Sequence, residues 1–458
     1  MKPKRFFVVY FGYLISFIFL LSLILSIRSN YGDSENLTTS FQFLTAIGLI
    51  STLDLNFSKL VIYYENKSSS CGNVFLSSFL VIYLFGVFVS TAIFSTTVNG
   101  FLNWEIHEIV LVILFAGSSS ASNLIFTKVE MQDNFNVSTL FRNAFTISPY
   151  LVISLGVFIN MSFVNILIIS AASRFVILAI IFHFLKAYRS FLNYSCKKNN
   201  FLSIIRNEKS VIMIGLFMPI VVYVDRLLAS TYLTSTEYSD YIFLSEILFK
   251  ILASTAVASI ILVPRIRHVI RDQNHYSIEV NSYSIFTFLI SIYAVFSILF
   301  LLFISLADSL SFFKSLSINF EEYKFLFLSY AVNILLQIFS IIQYVKKHTV
   351  FFSVSLLINL AFSLFAYIIV INYNLDFTFV ILSGSMANLM FNIYYFLRYF
   401  KLSKQITFSF FLFSACLVLF ISKMLYISYF VSIISILYFI WVLVMDYSKV
   451  KKFVGEIF

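Results

Sequence analysis

Charged residues are scarce in this chain: they make up 11% of its 458 residues, whereas 60% of the residues are hydrophobic. A soluble protein of this length carries about 25% charged residues, because its surface faces water. The composition leaves too little polar surface to cover a soluble protein. We therefore expect that most of the outer surface of this protein faces lipid.

Proline, glycine and cysteine are also rare, with 4, 11 and 3 residues respectively. Few helix-breaking residues favour long helices, which satisfy their own backbone hydrogen bonds inside a bilayer. The apolar runs are unbroken and about twice as long as the roughly ten-residue strands of a membrane β-barrel. The three cysteines have neither metal-ligand spacing nor the even number of a disulfide framework. No cofactor or metal is expected.

Fourteen apolar segments have the length needed to cross the hydrocarbon core as helices. They lie at about 6–27, 38–62, 75–98, 107–127, 142–160, 163–185, 210–232, 241–263, 282–305, 325–345, 350–371, 377–397, 406–423 and 427–445. The pattern predicts an all-α polytopic membrane protein with two six-helix lobes around a central cavity and two further C-terminal helices. The predicted domains are 1–200, 201–405 and 406–458, with the longest cytoplasmic connection, about 186–209, as linker between the lobes.

Lysine and arginine are distributed unequally between the two sides of this topology. With the N-terminus in the cytoplasm, 23 of the 31 basic residues fall in cytoplasmic segments, four on the opposite side and four within spans. This is the asymmetry of the positive-inside rule, and one miscounted span would destroy it. Both termini are therefore predicted to be cytoplasmic, and the net charge of +10 is explained without a nucleic acid partner.

The chain contains no phosphate-binding loop of the G-x-x-x-x-G-K-[ST] type, no G-x-S-x-G elbow and no H-E-x-x-H zinc pair. Its five histidines are scattered, and the longest outer loop, about 306–324, is too short to form a domain. These features argue against an enzyme. A polymerase or ligase acting on polysaccharide would usually carry a large outer loop with arginine or histidine.

The segment VVYVDRLLAS places Asp225 and Arg226 in the outer half of span seven. Ionisable groups within a membrane are costly and usually face a cavity or a partner. One interpretation is that Arg226 snorkels to the outer interface; the other is that one of the two charges faces a functional cavity. Neighbouring positions on a helix point about 100° apart, so each side chain needs a partner of its own, or water.

Charges in two further spans are candidates for function. Glu246 and Lys250 in span eight are four residues apart with the acid first, which suits either an ion pair within the helix or a pair that faces a cavity. Arg174 lies near the middle of span six, where snorkelling is hardest. The paired N–H donors of an arginine guanidinium fit phosphate oxygens. A polar cavity lined by these cations therefore favours a lipid with an anionic headgroup as its ligand.

Uncharged polar residues also recur at one-turn spacing. The pairs Asn333/Gln337 and Asn388/Asn392 predict either cavity lining or hydrogen bonds between helices. Small-residue runs predict close helix packing, although they would also leave room along a pathway; they lie at Ala116–Ser122, Ala253–Ser259 and Ser383–Asn388. The candidate binding residues are Arg174, Asp225, Arg226, Glu246, Lys250, Asn333 and Gln337.

The stretch from Pro219 to His268 resembles the polysaccharide transporter family, the Wzx-type O-antigen flippases of the MOP superfamily. The resemblance rests on Asp225-Arg226-Leu227-Leu228 late in span seven, on Tyr238 and Tyr241 after a short outer loop, and on Pro264-Arg265-Ile266 at the end of span eight. The arginine of span six, Arg174, also recurs in that family. The resemblance is sharpest over these 50 residues, and length and topology support the rest.

The resemblance implies a flippase that turns an undecaprenyl-pyrophosphate-linked oligosaccharide across the bacterial inner membrane by alternating access. It implies coupling to a proton or sodium ion, with Arg174, Arg226 and Lys250 attracting the substrate and with Asp225 and Glu246 modulating them. Membrane lipids, the polysaccharide polymerase and a chain-length regulator are the implied partners. The alternatives are an O-antigen polymerase or ligase-type membrane glycosyltransferase and a drug or cation antiporter of the same superfamily. Acidic residues are expected to dominate the cavity of such an antiporter.

Overall fold

The structure is a computed structural model. It describes residues 135–159, 161, 163–185, 206–234, 236–249, 251–252, 290–304, 320–345 and 348–399, together with single positions at 110, 114, 118, 122, 433, 436, 437, 440, 441 and 444. Spans one to three lie outside the described residues, as do nearly all of spans four and thirteen to fourteen. Within the described residues the regular structure consists of α-helices, which confirms the all-α fold class.

Eight helices provide the described framework. Their bounds are α1 Phe135–Phe158, α2 Phe163–Leu185, α3 Lys209–Tyr232, α4 236–249, α5 290–304, α6 Phe320–Val345, α7 Thr349–Tyr373 and α8 Phe379–Tyr399. Each coincides with a predicted span, and most ends agree within a few residues. The described start of α1 lies seven residues before the predicted span, because the mixed polar and apolar residues from 135 to 141 continue the helix.

Several of these helices are long and apolar enough to cross a membrane. Among the described residues four meet this condition, at Lys209–Tyr232, Glu322–Gln343, Thr349–Tyr373 and Phe379–Phe396. The exposed side chains of α7 are mostly large and apolar, including Val350, Phe362, Phe365 and Ile368. Exposing such side chains to water costs free energy, whereas contact with the hydrocarbon of a bilayer does not. The protein is therefore a polytopic α-helical membrane protein.

The chain divides into two compact units. The first unit is Phe7–Ile247, and the second unit consists of Met1–Phe6 and Leu248–Phe458. Within the first unit α1 packs on α2, and within the second unit α8 packs on both α6 and α7. The predicted lobe boundary near residue 200 stays a prediction, because most of the linker lies outside the described residues.

A tight turn connects α7 to α8 in the second unit. Asn374 ends α7 in the left-handed conformation, with φ 50° and ψ 47°. Asp376 stabilises the turn that leads into α8. Its Oδ1 accepts hydrogen bonds from the Thr378 backbone N–H at 2.8 Å and from the Thr378 hydroxyl at 2.7 Å. These local bonds satisfy backbone groups that a helix end leaves unpaired.

The left-handed residue at this turn gives a testable prediction. Asn374→Gly is expected to leave stability unchanged or slightly improved, because glycine adopts a positive φ without strain. Asn374→Val is expected to cost about 1–2 kcal/mol, since a β-branched side chain clashes in this conformation. Thermal unfolding of the purified protein in detergent measures both effects. Equal loss of stability in the two variants would contradict the proposed backbone origin.

Candidate functional site

Helices α3 and α4 form an antiparallel hairpin in the first unit that carries the predicted charges of span seven. Only three residues, 233–235, separate the two helices in the sequence. Asp225 and Arg226 lie late in α3, and Tyr241, Ser245 and Glu246 lie on α4. We call these five residues the hairpin cluster. The two neighbouring helices bring the five side chains together although 14 residues lie between Arg226 and Tyr241 in the sequence.

Arg226 is fully buried and bound to α4. Its side chain has 0% exposure; Nη1 forms an ion pair with Glu246 Oε1, and Nη2 donates to the backbone carbonyl of Ser245 at 3.0 Å. The guanidinium also stacks near the ring of Tyr223, with 5.0 Å from Cζ to the ring centroid. The interpretation that Arg226 snorkels to the outer interface is therefore wrong, because α4 offers the cation a carboxylate at the same depth.

Asp225 finds a different partner. The Tyr241 hydroxyl donates a hydrogen bond to Asp225 Oδ2 at 2.7 Å, and the aspartate side chain is buried as well. The expectation that the neighbouring charges use separate partners is confirmed. The cluster contains two carboxylates and one guanidinium among its described side chains, so its formal charge is −1 when both acids are ionised.

Glu246 and Lys250 were open to two interpretations, and the structure assigns Glu246 a partner outside its own helix. Glu246 is buried and pairs with Arg226 of α3. The carboxylate of Glu246 thus binds a cation of the adjacent helix, and the predicted pair with Lys250 stays a prediction. Lys250 itself lies outside the described residues.

Arg174 lies on α2 within the first unit. It is buried, and its Cζ lies 4.4 Å from the centroid of the Phe145 ring of α1. An arginine over an aromatic face gains a cation–π interaction that strengthens away from water. The helix pair α1–α2 thus holds this cation inside the protein, as its depth in the sequence predicted. Its role in substrate binding stays a prediction.

Asn333 and Gln337 lie on α6 in the second unit and are both partly exposed. Asn333 Oδ1 accepts a hydrogen bond from the Ser385 hydroxyl of α8 at 3.3 Å. Gln337 Nε2 donates to the backbone carbonyl of Leu252 at 2.9 Å. Each amide is therefore held at one end by a neighbouring element while part of its surface remains accessible.

The second amide pair has a different environment. Asn392 Nδ2 donates to two oxygens of Asn388, the backbone oxygen at 2.8 Å and Oδ1 at 2.7 Å. Gln343 Nε2 of α6 donates to Asn392 Oδ1 at 2.8 Å. All three side chains are buried. Of the two alternatives, hydrogen bonding between helices is therefore the role of Asn392, while Asn388 accepts from Asn392 within α8.

Sequence reasoning missed three residues of these networks: Tyr241 as the partner of Asp225, Ser385 as the anchor of Asn333, and Gln343. Their signal was weak, because single tyrosine, serine and glutamine residues are common in such chains. Within the described residues, no group of three histidine, cysteine, aspartate or glutamate side chains is arranged to hold a metal ion.

The fold has counterparts among solved transporter structures. An inward-facing multidrug resistance MATE family transporter of the MOP superfamily has a TM-score of 0.52 at 15% identity, covering 82% of this chain and 92% of that one. The outward-facing conformation of such a transporter scores 0.53 at 12% identity, covering 85% and 92%.

A third structure is a MOP superfamily transporter from Pyrococcus furiosus, described as having reversed polarity of its binding pocket and a suggested different function. It scores 0.51 at 15% identity, covering 85% of this chain and 92% of that one. No protein-family model and no curated protein sequence matches the chain. The similarity in structure extends over most of both chains, and it shows that this protein has the fold of the MOP superfamily transporters.

Proposed function

We propose that this protein is an alternating-access transporter that exchanges an amphipathic organic solute for a cation, as a drug/cation antiporter does. Two structures of this fold, one inward-facing and one outward-facing, support the mechanism by analogy of fold. The proposal treats the chain as a transporter and not as an enzyme. It also places the protein in the bacterial inner membrane with both termini in the cytoplasm, in agreement with the distribution of its basic residues.

The observation that carries the choice of exchange ion is the charge balance of the hairpin cluster. Arg226 pairs with Glu246, and the Tyr241 hydroxyl binds Asp225. Arg226 also attracts Asp225 electrostatically, so one cation serves two carboxylates. A buried carboxylate without full compensation is costly in a membrane. Binding of one proton or one sodium ion at Asp225 would bring the formal charge of the described cluster to zero.

This charge balance suggests how an ion gradient would bias the conformations. A cation at Asp225 stabilises any state in which the cluster is closed from water, whereas an empty Asp225 favours a state in which water reaches it. A ligand shifts a conformational equilibrium only by its difference in affinity for the two states. The cluster supplies that difference, because the cost of burying Asp225 changes with ion occupancy.

The test is Asp225→Asn in proteoliposomes with an imposed pH or sodium gradient, with ethidium as the transported organic cation. Asparagine retains an acceptor for the Tyr241 hydroxyl but cannot bind a proton, so we expect normal insertion and loss of gradient-driven transport. Tyr241→Phe is the control, since it keeps the carboxylate and removes only the hydrogen bond; its coupling is expected to persist. Full gradient-driven transport in Asp225→Asn would refute the proposed ion site.

The second candidate function is flipping of an undecaprenyl-pyrophosphate-linked O-antigen unit for lipopolysaccharide or other surface polysaccharide. The resemblance of Pro219–His268 to the Wzx-type flippases favours it. In the described state the cations expected to attract the pyrophosphate are engaged, Arg226 with Glu246 and Arg174 over Phe145. This function therefore requires another conformation that releases them, or Lys250.

Complementation distinguishes the two candidates. The gene is introduced into bacteria that lack their own O-antigen flippase, and surface polysaccharide is measured. Restored polysaccharide, with lipid-linked units no longer trapped on the cytoplasmic face, supports flipping; single unpolymerised units at the surface would instead indicate a defect in polymerisation. Ethidium resistance without restored polysaccharide supports the antiporter.

A further inference from the structure

Helix α6 is almost completely enclosed by protein. Of the 18 residues from 326 to 343, 15 are buried and only three are partly exposed. The three are Asn333, Gln337 and Ser340, and their spacing of four and three residues places them on one face of the helix. We call them the α6 stripe.

The surroundings of the stripe differ from a lipid-facing surface. On the neighbouring helix α7 the large exposed side chains are apolar, such as Leu357 (40%), Phe362 (50%) and Phe365 (61%). On α6 the accessible positions between 326 and 343 are all polar. Each stripe side chain has a hydrogen bond to the protein. Because hydrocarbon cannot accept or donate hydrogen bonds, the accessible part of these polar groups is most stable where it meets water or a polar solute.

The orientation of the Asn333 amide follows from its anchor. The Ser385 hydroxyl donates to Asn333 Oδ1, so the NH₂ group of Asn333 is directed away from that bond. Asn333 therefore presents N–H donors on the stripe. Ser385 has 1% exposure and lies on α8, which makes it a positioning residue for this amide.

The other end of the stripe presents an acceptor. The Ser340 hydroxyl donates its proton to the backbone carbonyl of Gln337 at 2.7 Å, which leaves its lone pairs as the group for a ligand. Asn333 and Ser340 are seven residues apart, or about 10.5 Å along the helix at a rise of 1.5 Å per residue. The stripe itself contains no ionisable side chain.

We propose that the α6 stripe binds the uncharged, hydroxyl-bearing part of the transported solute, with Asn333 donating to it and Ser340 accepting from it. Hydroxyl groups both donate and accept, so a polyhydroxylated headgroup of one or two sugar rings satisfies both ends of the stripe. A quaternary ammonium group offers no such hydrogen bonds. The inference deepens the proposed transport function, on which it rests, and applies to a hydroxylated drug as well as to a glycolipid.

The test uses the full chain with Cys71, Cys196 and Cys416 replaced and Ser340→Cys as reporter, in phosphatidylcholine liposomes whose lipids carry no headgroup hydroxyls. A membrane-impermeant methanethiosulfonate reacts with thiolates, which form only in contact with water. We expect Ser340→Cys to be labelled, while Phe365→Cys on the lipid-facing side of α7 is not. Absence of labelling at 340 would refute a water-facing stripe.

The ligand class is tested by protection of this thiol. Dodecyl maltoside and dodecyltrimethylammonium share one tail and differ in headgroup, and both are added below the concentration at which they solubilise the liposomes. We expect the maltoside to slow labelling about fivefold, the equivalent of one hydrogen bond of about 1 kcal/mol, and the ammonium compound to have little effect. Protection by free maltose as well would identify a soluble sugar as sufficient.

Two variants assign the effect to the stripe. Asn333→Leu is expected to abolish protection by the maltoside, and Ser385→Ala to weaken it while Asn333 is still present. Equal protection by both amphiphiles, no protection by either, or protection that persists in Asn333→Leu would overturn the proposal. The result is independent of the exchange ion, because Asp225→Asn is expected to lose gradient-driven transport and keep protection at 340.

Discussion

Replacing Arg226 by methionine is expected to destabilise the protein by about 3–5 kcal/mol, the loss measured when one member of a buried ion pair is removed. The reason is that Glu246 would remain buried on α4 without the guanidinium that compensates it. We expect little inserted, folded protein from this variant. The amount in the membrane fraction and the thermal midpoint in detergent measure the effect.

The double variant Arg226→Met, Glu246→Leu separates a structural role from substrate binding. Both members of the ion pair are removed, so neither is left buried without the other, and such replacements are often neutral or stabilising. We expect the double variant to fold. If it also transports, Arg226 holds α3 to α4 and does not attract substrate; if it folds but fails to transport, the predicted binding role of Arg226 gains support.

Arg398 provides the matched control for this pair of experiments. It is exposed near the end of α8, where its Nη1 donates to the Tyr394 hydroxyl at 3.0 Å. Arg398→Met removes the same group at a site that water or lipid headgroups can solvate. We expect a change within about 0.5 kcal/mol, as is usual for surface substitutions. A loss equal to that of Arg226→Met would show that burial is not the cause.

The second large effect is expected at Gly384, where α7 and α8 approach closely. A Cβ atom at this position would overlap Ser363 Oγ and would lie 2.6 Å from Asn359 Oδ1 and 2.8 Å from the Asn359 backbone oxygen. Side-chain atoms can rotate away, but the backbone oxygen moves only with helix α7. Gly384→Ala is expected to cost about 1–3 kcal/mol through overpacking, despite the higher helix propensity of alanine.

Gly156 on α1 is the comparison for Gly384. A Cβ there would lie 2.5 Å from Ile166 Cγ1 and 2.8 Å from Ile166 Cδ1, so both contacts are with one side chain. Because that side chain can shift without moving a helix, Gly156→Ala is expected to be the milder change. Thermal unfolding in detergent ranks the two variants. A larger loss at Gly156 would contradict the assignment of the cost at Gly384 to the helix backbone.

The membrane-spanning framework was predictable from the sequence to a large extent. The apolar segments at 163–185, 210–232 and 350–371 correspond to α2, α3 and α7 nearly residue for residue. The reason is that a chain in lipid must satisfy its backbone within each helix, so the length of an apolar run nearly decides the length of the helix. The small-residue run Ser383–Asn388 also correctly predicted close packing, now located at Gly384.

The partners of the buried polar groups were not predictable in the same way. The sequence placed Asp225 and Arg226 at membrane depth and required a partner for each, but it did not reveal that these partners are Tyr241 and Glu246. It also left the two amide pairs equivalent, although Asn333 and Gln337 are partly exposed and Asn388 and Asn392 are enclosed. Such differences depend on which helices are neighbours and on how each helix is rotated about its axis. A single sequence does not contain that information.

The sequence by itself thus determined that the protein faces lipid, that it is helical and at what depth its charges lie along each span. The first two follow from composition and apolar run length, and the third from the rise per residue of a helix. Only the tertiary structure decided which charges compensate one another and which polar face stays accessible on α6. Those properties belong to pairs of helices, since a charge in a medium of low dielectric constant is governed by the groups within a few ångströms, wherever they lie in the chain.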